Sequence, residues 1–460
     1  MKNLLLSLLS INNEEVQIID YIENGNKINI TVSINPVDTY CLKCGCKMNS
    51  KGIQQRTLKH PILQNGFTII ITYLQRRYKC KHCNYQTNQK VSFATKSKQL
   101  TRFTYINLCN ELKNLLVSFE DVAKKYNIST TVARKIFLEN VSVPRLPLPE
   151  ILCIDEVYLN IDHDKKYPVV LLDFKTKEPT DIVISRRAYY LDDYFSRIPL
   201  SERRNVKVLV SDMYKPYLRL KDRFFPNAVL VVDAFHVISR INNEIIKYFA
   251  SIKRYYIKKD NDRLTELNES TNNCFEKIQP CIETVLLRSY TWVFLKKEKD
   301  VDWNKTLRYD SYIGGKKNTT EVRNLLFNIN SDFELIYQLK ELYYAFNDGQ
   351  YNSREEVEYT LNQLIKTYLN SHNEIFIKLG RMIKPKSEYI INSFNFDLDT
   401  DLVLSKTKIS NGPIESFNRT VKDLKRNSRG VSNFEVTRAR ILWATRHNCP
   451  FKGYSNSNTK

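Results

Sequence analysis

Ile151-Leu152-Cys153-Ile154-Asp155-Glu156-Val157-Tyr158 opens the stretch whose reading decides the fold. Tyr167-Pro168-Val169-Val170-Leu171-Leu172-Asp173-Phe174 and Asp181-Ile182-Val183-Ile184-Ser185-Arg186-Arg187 follow it. Each run is short and rich in β-branched or aromatic residues, and charged or Pro-containing turn residues separate the runs. That pattern predicts three successive strands joined by hairpins. The middle run is apolar on consecutive positions, as in a strand covered on both faces. Asp155 interrupts the first run. A carboxylate inside a central strand is costly unless something pairs with it, and a metal ion is the usual partner when more carboxylates arrive at the same place.

Downstream, Tyr189 to Ile198 reads as a helix. Val206-Lys207-Val208-Leu209-Val210-Ser211-Asp212 is then a buried strand ending in an acid, and Ala228 to Val237 contains another, ending in Asp233 and His236. Strands alternating with helices predict an α/β sheet with parallel members, and sites in such sheets lie at the carboxyl ends of strands. From Ser239 to about Phe394 the pattern is helical and very polar. Its basic and aromatic mixtures, Arg254-Tyr255-Tyr256-Ile257-Lys258-Lys259 and Lys296-Lys297, suit contacts to single-stranded or distorted nucleic acid, although solvated helix faces explain them as well. Lys384 to Thr400 reads as a loop or crossover. Near the end, Asn411-Gly412-Pro413-Ile414-Glu415 marks a turn and a helix start, since Pro fits a first helical turn. Arg419 and Lys422 stand at i+4 and i+7 from Glu415, on its face. One acid with a basic stripe suits a metal beside a phosphate backbone; a surface i,i+4 salt bridge is the plainer reading.

Upstream, Ile28 to Ile34 alternates as a strand. Cys41-Leu42-Lys43-Cys44-Gly45-Cys46 and Cys80-Lys81-His82-Cys83 then form two knuckles, and the strand-like run Phe67 to Leu74 lets a hairpin bring them together. Two such knuckles can present Cys41, Cys44, Cys80 and Cys83 tetrahedrally to one structural Zn²⁺. Cys46 and His82 are competing donors, and chance clustering of buried free Cys is the bland alternative. Arg76-Arg77-Tyr78-Lys79 beside the second knuckle suits DNA phosphates or a solvated charge run. From about 100 to 141 the apolar spacing is helical. Ser118 is positioned to cap one helix, with Asp121 three residues on; Asn127-Ile128-Ser129 makes a turn, and Ser129 or Thr130 caps the next. This is the helix-turn-helix layout, in which Thr130, Thr131, Arg134 and Lys135 would face the major groove. Small three-helix units that bind nothing look similar. Val143-Pro144-Arg145-Leu146-Pro147-Leu148-Pro149 is an extended linker, because closely spaced prolines fit neither a helix nor a central strand.

At 460 residues the chain exceeds a single core. The expected organisation is a zinc-binding domain over 1–98, a helix-turn-helix domain over 99–142 and a Pro-rich linker over 143–150. A catalytic core follows in two parts, 151–240 and 401–452, around a helical insertion over 241–400, with a disordered tail over 453–460. No apolar run approaches the roughly 20 residues that span a bilayer, and the short apolar start lacks a cleavage pattern; a cytoplasmic protein is expected. The formal net charge of +21 points to a polyanionic partner, nucleic acid first. A merely basic enzyme, or one on anionic membranes, is the alternative. Ten Cys in a chain of this size make no disulfide scaffold, so the close pairs read as metal ligands.

Taken singly, Asp155, Asp212 and Glu415 are acids of the kind that cap strands and helices. Together they form a set suited to two hard divalent cations clamping a phosphoryl transfer. With the paired knuckles, the helix-turn-helix, Ile154-Asp155-Glu156, Ser211-Asp212-Met213-Tyr214-Lys215-Pro216-Tyr217, Asp233-Ala234-Phe235-His236 and Asn411 to Arg419, the chain resembles bacterial insertion-sequence transposases of the DDE class, ISL3 type, along nearly its whole length. The resemblance implies a multidomain α/β fold whose ribonuclease-H-like mixed-sheet core is interrupted by a long helical insertion. It implies DNA hydrolysis at element ends and attack of the freed 3′-hydroxyl on target DNA, with two Mg²⁺ (or Mn²⁺) ions. Asp155, Asp212 and Glu415 match the metal ligands. Asp233 and His236 match an Asp-x-x-His signature, where support of the site or DNA contact is expected, and Arg419 and Lys422 match basic positions near the Glu. Double-stranded DNA, both terminal inverted repeats and target, is the implied partner, bound by a homodimer. Glu156 points to the opposite face of a regular strand and stays outside the ligand set. Two rivals remain: a domesticated DNA-binding protein with an inert core, and a structure-specific nuclease without strand joining.

Overall fold

The computed structural model describes residues 6, 9, 11–12, 14–25, 27–61, 68–94, 99–161, 166–271, 279–396, 408–428 and 433–452. The expected tail, and the start of the second part of the core, lie outside these residues.

The N-terminal sheet comprises β1 (Val16–Asn24), β2 (Lys27–Ile34), β3 (Asn49–Pro61), β4 (Thr68–Lys79) and β5 (Gln86–Asn88), in the order β1-β2-β4-β3 with β5 on β4. β3 and β4 pair antiparallel with Asn49 opposite Lys79. The knuckle before β3 and the knuckle after β4 therefore meet at one end of the hairpin. Ile30, Val32, Ile69, Ile71 and Tyr73 alternate into the core beneath this sheet.

Three helices follow: α1 (Arg102–Glu111), α2 (Phe119–Lys125) and α3 (Thr130–Asn140). Ser118 and Asp121 form a reciprocal capping box on α2, and the Ser129 hydroxyl caps α3. Between them Asn127 takes a left-handed φ of 50°, which Asn tolerates, and this sets the sharp turn.

The central sheet holds β6 (Ile151–Glu156), β7 (Val169–Asp173), β8 (Pro179–Val183), β9 (Val208–Ser211) and β10 (Val229–Val232), in the order β10-β9-β6-β7-β8. β6, β7 and β8 are an antiparallel meander, whereas β9 and β10 run parallel to β6. Both faces are covered. Leu152, Ile154, Leu171 and Leu209 pack against α4 (Ala188–Ser196) and α6 (Lys215–Phe224), with the four-residue α5 (Leu200–Arg203) between these helices in sequence. Ile151, Cys153, Val170 and Val210 pack on the opposite face, with residues of two late helices that complete the numbering below. Successive residues of β6 thus serve opposite cores, which explains the unbroken apolar run.

α7 (Ala234–Thr271) leaves β10 and starts a helical body with α8 (Ile282–Ser289), α9 (Thr291–Leu295), α10 (Thr319–Phe327), α11 (Asp332–Asp348), α12 (Arg354–Leu369), α13 (Glu374–Ile383) and α14 (Ser387–Ile391). These helices share one core. The segment expected as a loop over 384–400 is instead helical as far as Phe394, with Lys384–Lys386 and Asn392–Phe394 as 3-10 turns around α14. Pro385 starts a turn there rather than breaking one, because an early helical position needs no N–H donor. Asn392 Nδ2 donates to Leu230 O of β10 at 3.0 Å, tying this segment to the sheet.

α15 (Gly412–Asn427) and α16 (Phe434–Thr445) close the fold. α16 serves two cores at once. Ile441 and Leu442 face the sheet, while Val436, Ala439 and Trp443 join the core of α1–α3. Trp443 Nε1–H donates to Cys109 O at 2.7 Å, and Arg440 Nη2 donates to Asn114 O at 2.7 Å. The Pro-rich segment is extended and anchored. Arg446 donates to Pro144 O at 2.6 Å and to Thr180 O at 2.6 Å, and Leu148 is buried against the sheet.

Candidate active site and metal clusters

Register places the acids. Ile154 pairs with Ser211, and Ser211 pairs with Val232. The next residue on each of the three parallel strands is Asp155, Asp212 and Asp233, so the carboxyl ends of β6, β9 and β10 carry a row of acids. Adjacent strands lie about 4.8 Å apart. Asp155 shares its face with Ile151 and Cys153 and turns toward α15, where Asn418 Nδ2 donates to its Oδ2 at 2.8 Å and to Glu156 O at 3.3 Å. Glu156 turns the other way. Its Oε1 accepts from Arg186 Nη1 at 2.6 Å and its Oε2 from Tyr217 Oη at 2.9 Å. It is neutralised on the face opposite Asp155.

The acids are crowded. Burial, then the Glu156 and Asp212 charges, push the Asp155 carboxyl up to about 7, against the pull of the Glu156 peptide N–H; Glu415 adds to the rise. Burial also raises Asp212, opposed by the Tyr214 N–H, which donates to its Oδ1 at 2.9 Å. Glu415 sits in the first turn of α15 and is raised by burial and by Asp233, while His236 and Arg419 pull it down.

Asp233, His236 and Glu415 bring one donor atom each within 4.8 Å of one another. Asp155, Asp212 and Glu415 do not form such a group among the described residues. Glu415 acts on Asp155 through space but converges on Asp233 and His236. Asn411, which the sequence reading places in the turn before the helix without a site role, links these parts. Its peptide N–H donates to Asp233 Oδ2 at 2.7 Å, and its Nδ2 lies 3.3 Å from His236 Nε2. Asn411 and Asn418 are both buried. The signal for Asn418 was a polar residue on the buried face of an amphipathic helix, with Ile414, Phe417 and Val421; Asn411 stands just before that helix. Arg419 and Lys422 are exposed on α15.

On α3, Thr131 and Lys135 are exposed and Thr130 is half-buried. Arg134 is half-buried too, with its guanidinium carbon 6.0 Å from the centre of the Phe119 ring. Lys135 also reaches toward Glu139, at 4.0 Å.

At the end of the β3–β4 hairpin, Cys41, Cys44, Cys80 and Cys83 bring their sulfurs within 4.8 Å of one another. The Cys41–Cys83, Cys44–Cys80 and Cys44–Cys83 separations are 3.4, 3.5 and 3.6 Å. The edge of a ZnS₄ tetrahedron with Zn–S near 2.3 Å is roughly 3.8 Å, so the four fit a zinc ion. Burial pushes the Cys41 thiol up, but the N–H groups of Lys43 and Cys44 outweigh it and bring the thiol down to about 7, while Cys44 goes up, the Cys46 N–H pulling it down but the Cys80 sulfur and burial outweighing that pull. Cys44, Cys46 and His82 form a second group, which shares Cys44 and leaves Cys46 and His82 exposed.

Residues 152–441 match the family model of DDE transposases of the ISL3 type, whose description reads "Transposase". That match covers well over half of the chain, and the chain belongs to this family. It is also similar to the transposase for insertion sequence element IS1001 of Bordetella parapertussis, with 20% identity over 281 residues, 59% of this chain and 62% of that protein. The chain thus spans less than two thirds of the length of the curated relative it matches. Among the described residues, no helix is long and apolar enough to cross a membrane.

Proposed function

We propose that the protein is a DNA transposase that binds the ends of its insertion sequence, cleaves DNA by metal-dependent phosphodiester hydrolysis, and joins the 3′-hydroxyl ends to target DNA. The observation that carries this reading is the row Asp155, Asp212 and Asp233 at one sheet edge, beneath the helix that bears Glu415, in a chain of a transposase family. A mixed sheet with an antiparallel meander followed by two parallel strands supports a ribonuclease-H-like core interrupted by the helical body that starts with α7 and ends at Phe394.

The donor set fits hard divalent cations. Buried carboxyls raised by one another are relieved by positive charge, and oxygen donors suit Mg²⁺ or Mn²⁺. Asp155, Asp212 and Glu415 would hold the two ions, which supply an activated water or 3′-hydroxyl and neutralise the scissile phosphate. Asn418 fixes the orientation of Asp155. Asn411 restrains Asp233 against the start of α15, and the closeness of Asp233 and His236 to Glu415 supports a supporting role for that pair. Arg419 and Lys422 would meet backbone phosphates. Zinc on Cys41, Cys44, Cys80 and Cys83 would fold the N-terminal hairpin end. The α2–α3 unit would enter the major groove as a helix-turn-helix through Thr131 and Lys135, with Thr130 at its edge and Arg134 bracing the fold. Pairing two element ends calls for a homodimer.

Asp155→Ala tests the reading: loss of cleavage with retained binding to element ends is expected, and retained cleavage overturns the mechanism. A parent protein that binds but never cuts is the domesticated DNA-binding rival. One that cuts without a strand-transfer product is the nuclease.

A further inference from the structure

Beyond the acid row, the same sheet edge carries a feature that catalysis leaves unused. The β6–β7 hairpin continues past Glu156 through Val157 N–H to Pro168 O at 2.9 Å and Leu159 N–H to Lys166 O at 3.0 Å. Val157 and Leu159 are buried toward α15, so Tyr158 faces outward, on the side of Glu156. It lies against Tyr167 across the hairpin, with ring centres 5.3 Å apart. Arg186 lies over the Tyr167 ring at 4.3 Å and over the Tyr214 ring at 5.1 Å. The Tyr214 peptide N–H, rather than its ring, donates to Asp212 Oδ1 at 2.9 Å, so the residue that carries the ring is tied by its backbone to the acid row. Tyr158, tilted at 56° to Tyr167, then Tyr167, Arg186 and Tyr214 form one chain of ring and guanidinium contacts, a stack in this loose sense, from solvent to the residue beside the acid row.

The stack is rigid at its inner end. Arg186 is fixed by Glu156, which Tyr217 also holds. It is open at its outer end, where Tyr158 is 49% and Tyr167 37% exposed. Rings that served only the core would be covered. We infer that this stack receives a nucleobase unstacked from the strand that enters the acid row. The inference rests on the proposed function.

Three points select that occupant. Every base has a π-face, so a ring stack binds it without regard to sequence. Arg186, already paired with Glu156, holds the Tyr167 ring in place by a cation–π contact, and the chain's net charge of +21 favours an anionic polymer over an apolar peptide. Third, Tyr158 is three residues beyond Asp155 and on the other face of the strand, roughly 10 Å along it, a span of a few nucleotides that carries the single strand round the end of β6. Paired bases hide their faces in the duplex, so the occupant is a base drawn out next to the scissile phosphate; drawing it out costs a few kcal/mol, which stacking offsets.

The test uses full-length protein without divalent cation, a short single strand carrying one 2-aminopurine, and the same sequence as duplex. The parent is expected to change the 2-aminopurine emission on binding the single strand. Tyr158→Ala combined with Tyr167→Ala should weaken single-strand binding by about tenfold or more and abolish the emission change. Duplex binding should stay as in the parent. Tyr158→Phe and Tyr158→Trp, which keep a ring, should retain both signals. Unchanged single-strand affinity in the double variant overturns the inference, as does an equal loss on duplex or failure of the ring-keeping variants. No cleavage enters this assay, so a chain that stacks the base but never cuts DNA removes the proposed function alone. A chain that cuts through Asp155 yet ignores the two tyrosines removes the stack alone.

Discussion

The four-sulfur cluster and the acid row are both sets of metal donors, and they are assembled in opposite ways. The sulfurs come from two knuckles at the end of one hairpin, and the β3–β4 register is enough to bring them to 3.4–3.6 Å. The acids come from three strands and a helix some two hundred residues further on, and they remain partly apart: Glu415 converges on Asp233 and His236 rather than on Asp155 and Asp212. Local construction yields a closed site of the kind that stabilises a fold. Long-range construction yields an open site in which like charges are held together under strain from their own repulsion, as a site awaiting cations and a phosphodiester would be.

The largest expected effect breaks the local cluster. Structural zinc in small modules is worth on the order of 10–16 kcal/mol at neutral pH, far more than the few buried side chains around these cysteines supply. Cys80→Ser should reduce the metal content from one zinc per chain to none and open the hairpin end to protease, with the transition of the central sheet unmoved. A parent protein purified with no zinc would end the comparison at its root.

The next effect asks whether the acid row depends on distant packing. Trp443 is fully buried between α16 and the α1–α3 unit, and removing such a side chain costs about 3–5 kcal/mol. Because α16 also packs toward the sheet through Ile441 and Leu442, Trp443→Ala should lower the melting of the α1–α3 unit and the central sheet together. Zinc content should not change. Separate transitions for the two units in the parent, by calorimetry, would contradict the coupling.

The third effect concerns charge. The folded Asp155 carboxyl titrates near 7 against an ordinary 3.8, so the folded chain binds more protons than the unfolded chain between those values. Without metal, stability is therefore lost as pH rises through that window. Ionised Asp155 costs up to roughly 4 kcal/mol. Asp155→Asn, which keeps an oxygen for Asn418, should raise the melting temperature of metal-free protein at pH 8 and have little effect below pH 4. Added Mg²⁺ should narrow the gap by stabilising the parent only. A variant less stable than the parent at pH 8 without metal would refute the crowding argument.

These contrasts also explain what the sequence disclosed. The strands were legible because short β-branched runs bounded by turn residues mark strands, and β6, β7, β9 and β10 fall within the runs expected for them, whereas β8 (Pro179–Val183) starts before the expected run Asp181 to Arg187 and stops short of its end. The knuckles were legible because their chemistry is written in local spacing. The acids were legible singly, but the closeness of Glu415 to Asp233 and His236 was not, since it depends on how α15 docks. α16 escaped notice for a related reason: it buries residues on two sides, Val436 and Trp443 toward one core and Ile441 and Leu442 toward another, so no single apolar stripe marks it. Arg438, half-buried, partners the buried Asp181 of β8 at 2.5 Å, in a pairing that neither segment announces alone.

The smallest of the four effects bears on the most delicate part of the long-range site. Asn418 is buried, and its Nδ2 bond to Asp155 Oδ2 is a direct contact by which α15 orients that carboxylate. Groups that orient a metal ligand typically contribute 10–100-fold in metal affinity. Asn418→Ala should weaken Mn²⁺ binding by about tenfold, measured by titration of the full-length protein, with the zinc cluster unaffected. It should also raise the Asp155 carboxyl further, since a hydrogen bond to the charged form is lost, moving the pH dependence of metal-free stability upward. If Mn²⁺ affinity holds while stability falls, Asn418 serves packing alone, and α15 reaches the acid row only through Glu415.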